Sequence, residues 1–281
     1  MTYMHQPAVK RIWKRLLGSH SWTKRAGTWR EKERHGLVTR PNYAYGMLRA
    51  ADCARFFGHR AVTVCEFGVA TGNGLLNMVD LAGQVTQETG IEFEIFGFDT
   101  GKGLPPPAGF KDHPELWSGG DFSMGDVEAL RRKLGSRAQL VLGDIHDTVQ
   151  PFAQRLRPEA PLGFVSIDVD IYSGTVAALK VLGAASDRYL PAVSFYFDDV
   201  GSYFSNVACG ELAAMAEYNA AHPQRPIDRD RSLPGRRPDA AVNWYANMHV
   251  CHVLDHPRRV SPHDRGPMSL EEHMAFMQAM Q

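Results

Sequence analysis

Carboxylates recur in this chain at or just beyond the ends of short apolar runs. Glu66 lies near the end of Val62 to Phe67, Asp99 follows Phe93 to Phe98, and Asp144 follows Gln139 to Leu142. Asp168 and Asp170 follow Leu162 to Ile167, and Asp198 and Asp199 follow Ala192 to Phe197. Such runs, rich in β-branched and aromatic residues, read as strands. An open α/β sheet binds ligands beyond the carboxyl ends of its strands, so the acids fall where a ligand sits. A carboxylate at the tip of the second strand, Asp99, is suited to accept hydrogen bonds from ribose hydroxyls. If the fourth and fifth strands are sheet neighbours, their tips bring three or four carboxylates together. Like charges that close raise one another's pKa unless a cation neutralises them. An all-oxygen ligand set suits a hard divalent ion such as Mg²⁺. Any one of these aspartates reads equally well as a helix cap or an arginine partner; the coincidence of the whole set is the stronger signal.

Positioning those acids requires alternating strands and helices. Val64-Cys65-Glu66-Phe67-Gly68-Val69-Ala70-Thr71-Gly72-Asn73-Gly74 reads as a strand that breaks into a glycine-rich turn and then a helix over Leu75 to Thr89. Its glycines follow neither the G-x-G-x-x-G of dinucleotide binding nor the P-loop pattern. Asp99 also lies farther from Gly68 than the ~20 residues of the NAD fingerprint. Further helices are predicted at Asn42 to Gly58, Met124 to Leu134, Val149 to Leu156, Gly174 to Ala185 and Cys209 to Ala221. Another strand is predicted at Asn243 to Leu254, and a terminal helix at Ser269 to Met280 opened by a Ser269/Glu272 capping pattern. The alternation predicts an α/β fold, a doubly wound, mostly parallel Rossmann-like sheet with helices on both faces. Gly103 to Gly109 and Pro223 to Pro238 read as loops, the first long enough to be a lid.

Bulk properties narrow the function classes. The chain has 281 residues, enough for one substantial core with appendages. Lys plus Arg and Asp plus Glu are 31 each, a formal net charge of zero that favours no nucleic-acid partner. Residues 1–40 are basic and are expected to form a helical extension, with Ile12, Trp13, Leu16 and Leu17 on an apolar face and the cations on a solvated one. The domain expectation is therefore this extension, a main domain over 41–258 and a helical tail over 259–281. Cys53, Cys65, Cys209 and Cys251 show no C-x-x-C pairing and read as core thiols of a reducing compartment. No apolar run reaches the ~20 residues of a bilayer span, and no signal peptide is evident, so a cytoplasmic protein without stable membrane insertion is expected.

With these residues in place, the chain resembles class I S-adenosylmethionine-dependent methyltransferases, and more narrowly the macrocin O-methyltransferase family, which methylates sugar hydroxyls of macrolides and related natural products. The resemblance runs from about Glu66 to Tyr203. Its most specific segments are Gly97-Phe98-Asp99-Thr100-Gly101-Lys102-Gly103-Leu104-Pro105 and Asp168-Val169-Asp170-Ile171-Tyr172-Ser173-Gly174-Thr175. Trp117 to Phe122, Gly143 to Thr148 and Phe197 to Gly201 also belong to it. It implies that S-adenosylmethionine is lined by Glu66, Gly68 and Gly72 at its methionine end and by Asp99 at its ribose. Gly143, Asp144 and Ile145 would border the adenine, with Asp168 completing the lining. It implies Mg²⁺ on Asp168 or Asp170 with Asp198 and Asp199, binding the hydroxyl of a small-molecule acceptor. The family's serine is replaced by Gly174, and no lysine follows Asp168 at the spacing of catechol-type enzymes, so Asp170 is the choice of base. A homo-oligomer is allowed by analogy.

Three other readings bear on the same residues. A metal-free methyltransferase would keep Asp99 essential and tolerate Asp198→Asn. A nicotinamide-dependent oxidoreductase fits a related sheet but not the glycine spacing. A binding module without chemistry has little need for clustered charge. His249-Val250-Cys251-His252 resembles a metal motif, yet on a strand Cys251 and His252 face opposite ways, so strand residues are expected there. His146 is expected near the adenine or at a helix start, and Phe110, Trp117, Phe122 and Tyr172 as candidate walls of an acceptor site.

Overall fold

The computed structural model describes residues 19–202, 205–233, 243–260, 267 and 269–279. Its centre is a seven-stranded sheet of β1 (Ala61–Phe67), β2 (Glu92–Asp99), β3 (Gln139–Leu142), β4 (Leu162–Ile167), β5 (Tyr189–Phe197), β6 (Ile227–Arg229) and β7 (Met248–His252), ordered 3-2-1-4-5-7-6. The first five pair in parallel, while β7 runs antiparallel to both β5 and β6. β1 and β4 are buried over nearly their whole length, as strands covered by helices on both faces must be. This is the expected doubly wound α/β sheet.

The helices are α1 (Ser19–Ala26), α2 (Trp29–Arg34), α3 (Pro41–Phe56), α4 (Asn73–Thr89), α5 (Val127–Leu134), α6 (Ile145–Arg155), α7 (Tyr172–Leu179), α8 (Gly210–Ala221), α9 (Pro257–Val260) and α10 (Leu270–Ala279). Two cores result. One joins α3 and α4 to the sheet through residues such as Tyr43, Met47, Leu75 and Met78. The other joins α6, α7 and α8 to the opposite face through Phe67, Phe98, Val149, Ala178 and Phe195. Among the described residues no helix is long and apolar enough to cross a membrane.

Several boundaries differ from the sequence reading for identifiable reasons. β6 lies inside the stretch expected to be a loop. It is too short to show alternation, and its Ile227 is held by β7 and by the Asn219 amide, which bonds both the Ile227 N–H and C=O at 2.8 Å. The helix expected from Val149 begins at Ile145, because the Asp144 carboxylate caps it by accepting from the His146 N–H. The helix expected from Gly174 begins at Tyr172 and ends at Leu179, followed by a 3₁₀ turn over Lys180–Gly183. The strand expected from Asn243 starts as a 3₁₀ turn and becomes β7 only at Met248. At α10, Ser269 and Glu272 form the expected reciprocal capping pattern.

Ile12, Trp13, Leu16 and Leu17 lie outside the described residues. In the described end of the basic segment Lys24, Arg25 and Arg34 are exposed, while other side chains pack onto the domain. Trp22 is buried, Trp29 donates its ring N–H to Gln84, and Arg30 forks onto Asp52 at 2.6 and 2.8 Å while also reaching Glu88.

Candidate active site

The strand order reverses between β1 and β4, which opens a crevice at their carboxyl ends. Gly68 makes the close approach possible. At φ +87° it lies in a conformation that L side chains rarely adopt, and a Cβ there would fall 1.6 Å from the Asp168 carbonyl oxygen. β1 and β4 therefore leave the sheet in contact. Gly72 turns the chain into α4 as its N-cap, also left-handed. A cavity of about 370 Å³ follows, in the size range of small-molecule sites. Of the expected cofactor residues, Glu66, Gly68, Asp99, Asp144, Ile145 and Asp168 line it. Gly143 holds β3 to β2 by donating to the Asp99 carbonyl, and His146 lines the cavity beside Ile145.

Glu66 is the most buried acid of the cavity. Its Oε1 accepts from the Tyr43 hydroxyl at 2.7 Å, that hydroxyl accepts from Ser166 at 2.9 Å, and Oε2 has no partner. Burial pushes its carboxyl up to about 8, against the lowering effects of Tyr43 and of the Arg40 charge. Asp99 carries a structural duty that its spacing did not reveal. Oδ2 accepts from the Val69 and Ala70 N–H groups at 2.9 Å, and Oδ1 accepts from Gly101 at 2.6 Å. A carboxylate offers about four acceptor positions, so roughly one remains for a ligand.

Parallel pairing of β4 and β5 sets their tips level, as the sequence reading requires. The carboxylates that converge are those of Asp168, Asp170 and Asp199, each with an oxygen within 4.8 Å of the others. Among the described residues this is the group of three or more acids, histidines or cysteines placed to hold a metal ion. Asp198 lines the cavity but stands outside that group, its Oδ1 accepting from the Tyr196 hydroxyl at 2.6 Å. Asp170 is held at φ +61° in a tight turn closed by the Ile171 N–H on the Val169 carbonyl at 2.6 Å. Aspartate is among the few residues that tolerate that conformation.

The electrostatics of the cluster are those of a site short of positive charge. Burial first, then the neighbouring acids, push Asp168 up to about 8 and Asp170 to about 7, and burial with Asp198 pushes Asp199 to about 6. Asp199 Oδ2 is buried without a partner. Behind it Glu211 of α8, fully buried, accepts from the Asp199 N–H at 2.8 Å, and burial keeps it well above the carboxylate range. A divalent cation would partner the orphaned oxygen and relieve the repulsion, so the donor set fits one. Nothing in the spacing around Glu211 or Tyr43 marked either residue, because both read as ordinary helix positions.

The Gly103 to Gly109 stretch expected as a lid is part of a longer loop from Thr100 to Asp126 with a 3₁₀ turn at Phe110–Asp112. Asp112 pins it: buried, it accepts from Ala108 N–H, Ser173 N–H and the Ser173 hydroxyl at 2.7 to 3.1 Å. Leu104, Asp121 and Phe122 line the cavity, and Trp117 packs edge-on against Phe122. Phe110 is 76% exposed. Tyr172 faces α8 instead, bonded to Glu217 beneath the Lys111 ammonium. His249 and Cys251 are buried strand residues, His249 bonded to the Asn247 carbonyl and packed edge-on against Phe197.

The sequence matches no family model and no curated protein. Among solved structures, the chain is similar to the calicheamicin methyltransferase CalS11, with 19% identity over 88% of this chain and 93% of that one and a TM-score of 0.51. A second structure of CalS11, described as a TDP-rhamnose 3′-O-methyltransferase, gives 17% identity, 88% and 95% coverage and a TM-score of 0.42. The O-methyltransferase NovP gives 15%, 74% and 78%, and 0.48. The first of these, with the strand order, defines the fold as the Rossmann-like α/β fold of the methyltransferases. Antiparallel β7 between β5 and β6 separates it from the 3-2-1-4-5-6 order of dinucleotide-binding sheets.

Proposed function

We propose that this protein is an S-adenosylmethionine-dependent O-methyltransferase, assisted by Mg²⁺, that acts on a hydroxyl of a small molecule such as a natural-product sugar. The observation that carries the reading is the meeting, in one cavity at the switch point of the sheet, of the β1 and β2 acids with Asp168 and Asp170, two members of the carboxylate cluster that Asp199 completes. The fold shared with the calicheamicin methyltransferase and the resemblance to the macrocin family support it.

Glu66 and the Gly68 to Gly72 turn would take the methionine end of the cofactor, the remaining acceptor position of Asp99 the ribose, and Asp144 and Ile145 the adenine. Asp168, Asp170 and Asp199 would hold Mg²⁺. When bound, the cofactor supplies an electrophilic methyl group, and the ion lowers the pKa of an acceptor hydroxyl. The chain's own contribution is placement: the metal-binding acids and the cofactor acids sit on adjacent strand tips, which favours in-line approach of the two reactants. Asp170, at the tip of β4 on the cavity wall, is the base of this reading. Leu104 and Phe122 line the cavity and would bound the acceptor.

Thermal unfolding with S-adenosylhomocysteine, with Mg²⁺ or EDTA, tests the proposal. A ligand at 100 times its Kd stabilises by about 2.7 kcal/mol. Stabilisation by S-adenosylhomocysteine with a further Mg²⁺ increment is the expected result. Stabilisation by NAD alone would overturn it.

A further inference from the structure

One cation of the cavity takes no part in the assignments above. Arg40 precedes Pro41 and caps α3 at φ 45°, ψ 70°, a left-handed conformation with no side-chain capping bond. Arginine rarely adopts it. One turn into the helix, the Tyr43 ring lies under the Arg40 guanidinium, 5.2 Å from centroid to Cζ. The same Tyr43 donates its hydroxyl to Glu66. Arg40 and Glu66 thus flank one aromatic ring, and both line the cavity. Among the described residues Arg40 makes no ion pair, and Glu66 keeps Oε2 buried without a partner.

A guanidinium that makes no ion pair and a carboxylate with an unpartnered oxygen, set on one cavity wall, are complementary to a zwitterion. The guanidinium presents a planar fork matched to a carboxylate, and the unpartnered Oε2 is an acceptor for an ammonium. We propose that Arg40 and Glu66 form a clamp for the α-amino-acid end of the ligand, Arg40 on its carboxylate and Glu66 on its ammonium. The clamp rests on the cofactor reading above and assigns Arg40 a binding role. It also explains why Arg40 is an arginine at a strained position: stacking on Tyr43 sets the plane of the fork.

Calorimetric titration of wild type, R40Q and R40K with two ligands tests this. S-adenosylhomocysteine carries the amino-acid end, and 5′-deoxy-5′-methylthioadenosine has the same nucleoside and thioether without it. Loss of a charge-assisted contact of about 1.5–3 kcal/mol corresponds to roughly tenfold to hundredfold in affinity. R40Q is expected to weaken S-adenosylhomocysteine by that factor and to bind methylthioadenosine within about twofold of wild type, with R40K intermediate. Methylthioadenosine binding reports that the cavity is intact, and if R40Q does not fold, the ratio for R40K carries the test. An unchanged ratio of the two affinities overturns the clamp while leaving the cofactor reading in place. Wild type that binds neither ligand overturns both.

Discussion

The Tyr43 hydroxyl lies 2.7 Å from Glu66 Oε1, and this one hydrogen bond joins α3 to the tip of β1 inside the cavity wall. It leaves Oε2 bare in a site where burial lifts the carboxyl to about 8. Below that value Glu66 is mostly protonated. A ligand ammonium that requires the carboxylate must then displace a proton, so S-adenosylhomocysteine affinity should rise with pH, by up to about tenfold per unit, and level off above pH 8. Titrations from pH 6 to 9 in buffers of different ionisation enthalpy measure the proton release. E66Q should flatten the profile.

The acid cluster gives the metal-free protein a pH-dependent stability. Asp168, Asp170 and Asp199 rise from an ordinary value of 3.8 to about 8, 7 and 6, so the folded state binds more protons than the unfolded one between those limits. Stability is therefore highest in acid with respect to these groups and falls as pH rises from about 4 towards 8. Unfolding scans in EDTA should show Tm decreasing across that window. Mg²⁺ should raise Tm at pH 8 by several degrees and far less at pH 5. A flat EDTA profile would show that the cluster is not strained by charge.

Asp199 and Asp198 should behave differently despite adjacency. Asp199 belongs to the convergent trio with an orphaned oxygen, whereas Asp198 is bonded to Tyr196. D199N should lose about two orders of magnitude or more in turnover, which is what a few kcal/mol of transition-state stabilisation amounts to, and D198N distinctly less. Both should retain S-adenosylhomocysteine affinity within a few-fold. Equal losses in turnover would remove the distinction.

Gly68 admits no side chain. In G68A the methyl group would meet the Asp168 carbonyl at 1.6 Å in a conformation already unfavourable for alanine. A destabilisation of about 3 kcal/mol or more is expected, with loss of ligand binding, because the β1 and β4 tips must part. Urea unfolding reads this as a lower midpoint at unchanged slope.

Removing the Asp112 anchor should free the lid. D112A leaves the Ala108 and Ser173 donors without their carboxylate, a cost of about 2–4 kcal/mol if they stay buried. Limited proteolysis should cut between Thr100 and Asp126 faster than in wild type, with S-adenosylhomocysteine affinity less affected than lid protection. Unchanged cleavage would place the lid's order elsewhere.

Much of this architecture is decided locally. Runs of β-branched and aromatic residues ending in acids, separated by helical periodicities, suffice for an α/β sheet, because strand period and helix period are properties of neighbouring residues. Since parallel strands place their carboxyl ends on one edge, the sequence also determined that Glu66, Asp99, Asp168 and Asp199 share an edge. What lies beyond a strand's end escapes that logic, because the two-residue period stops there. Nothing in Asp198-Asp199 says which carboxylate turns inward, and the choice falls to Tyr196, which holds Asp198, and Glu211, which holds the backbone of Asp199. The place of Asp99 after β2 predicts a ligand acceptor, but only the tertiary path brings three loop amides onto its carboxylate. β6 exists through partners, Asn219 and β7, rather than through its own three residues. Arg40 reads as the last cation of the basic extension and Tyr43 as an apolar-face residue of the helix from Asn42; only the packing of α3 across β1 and β4 brings their polar ends to Glu66, because side-chain contacts between distant segments depend on the tertiary path.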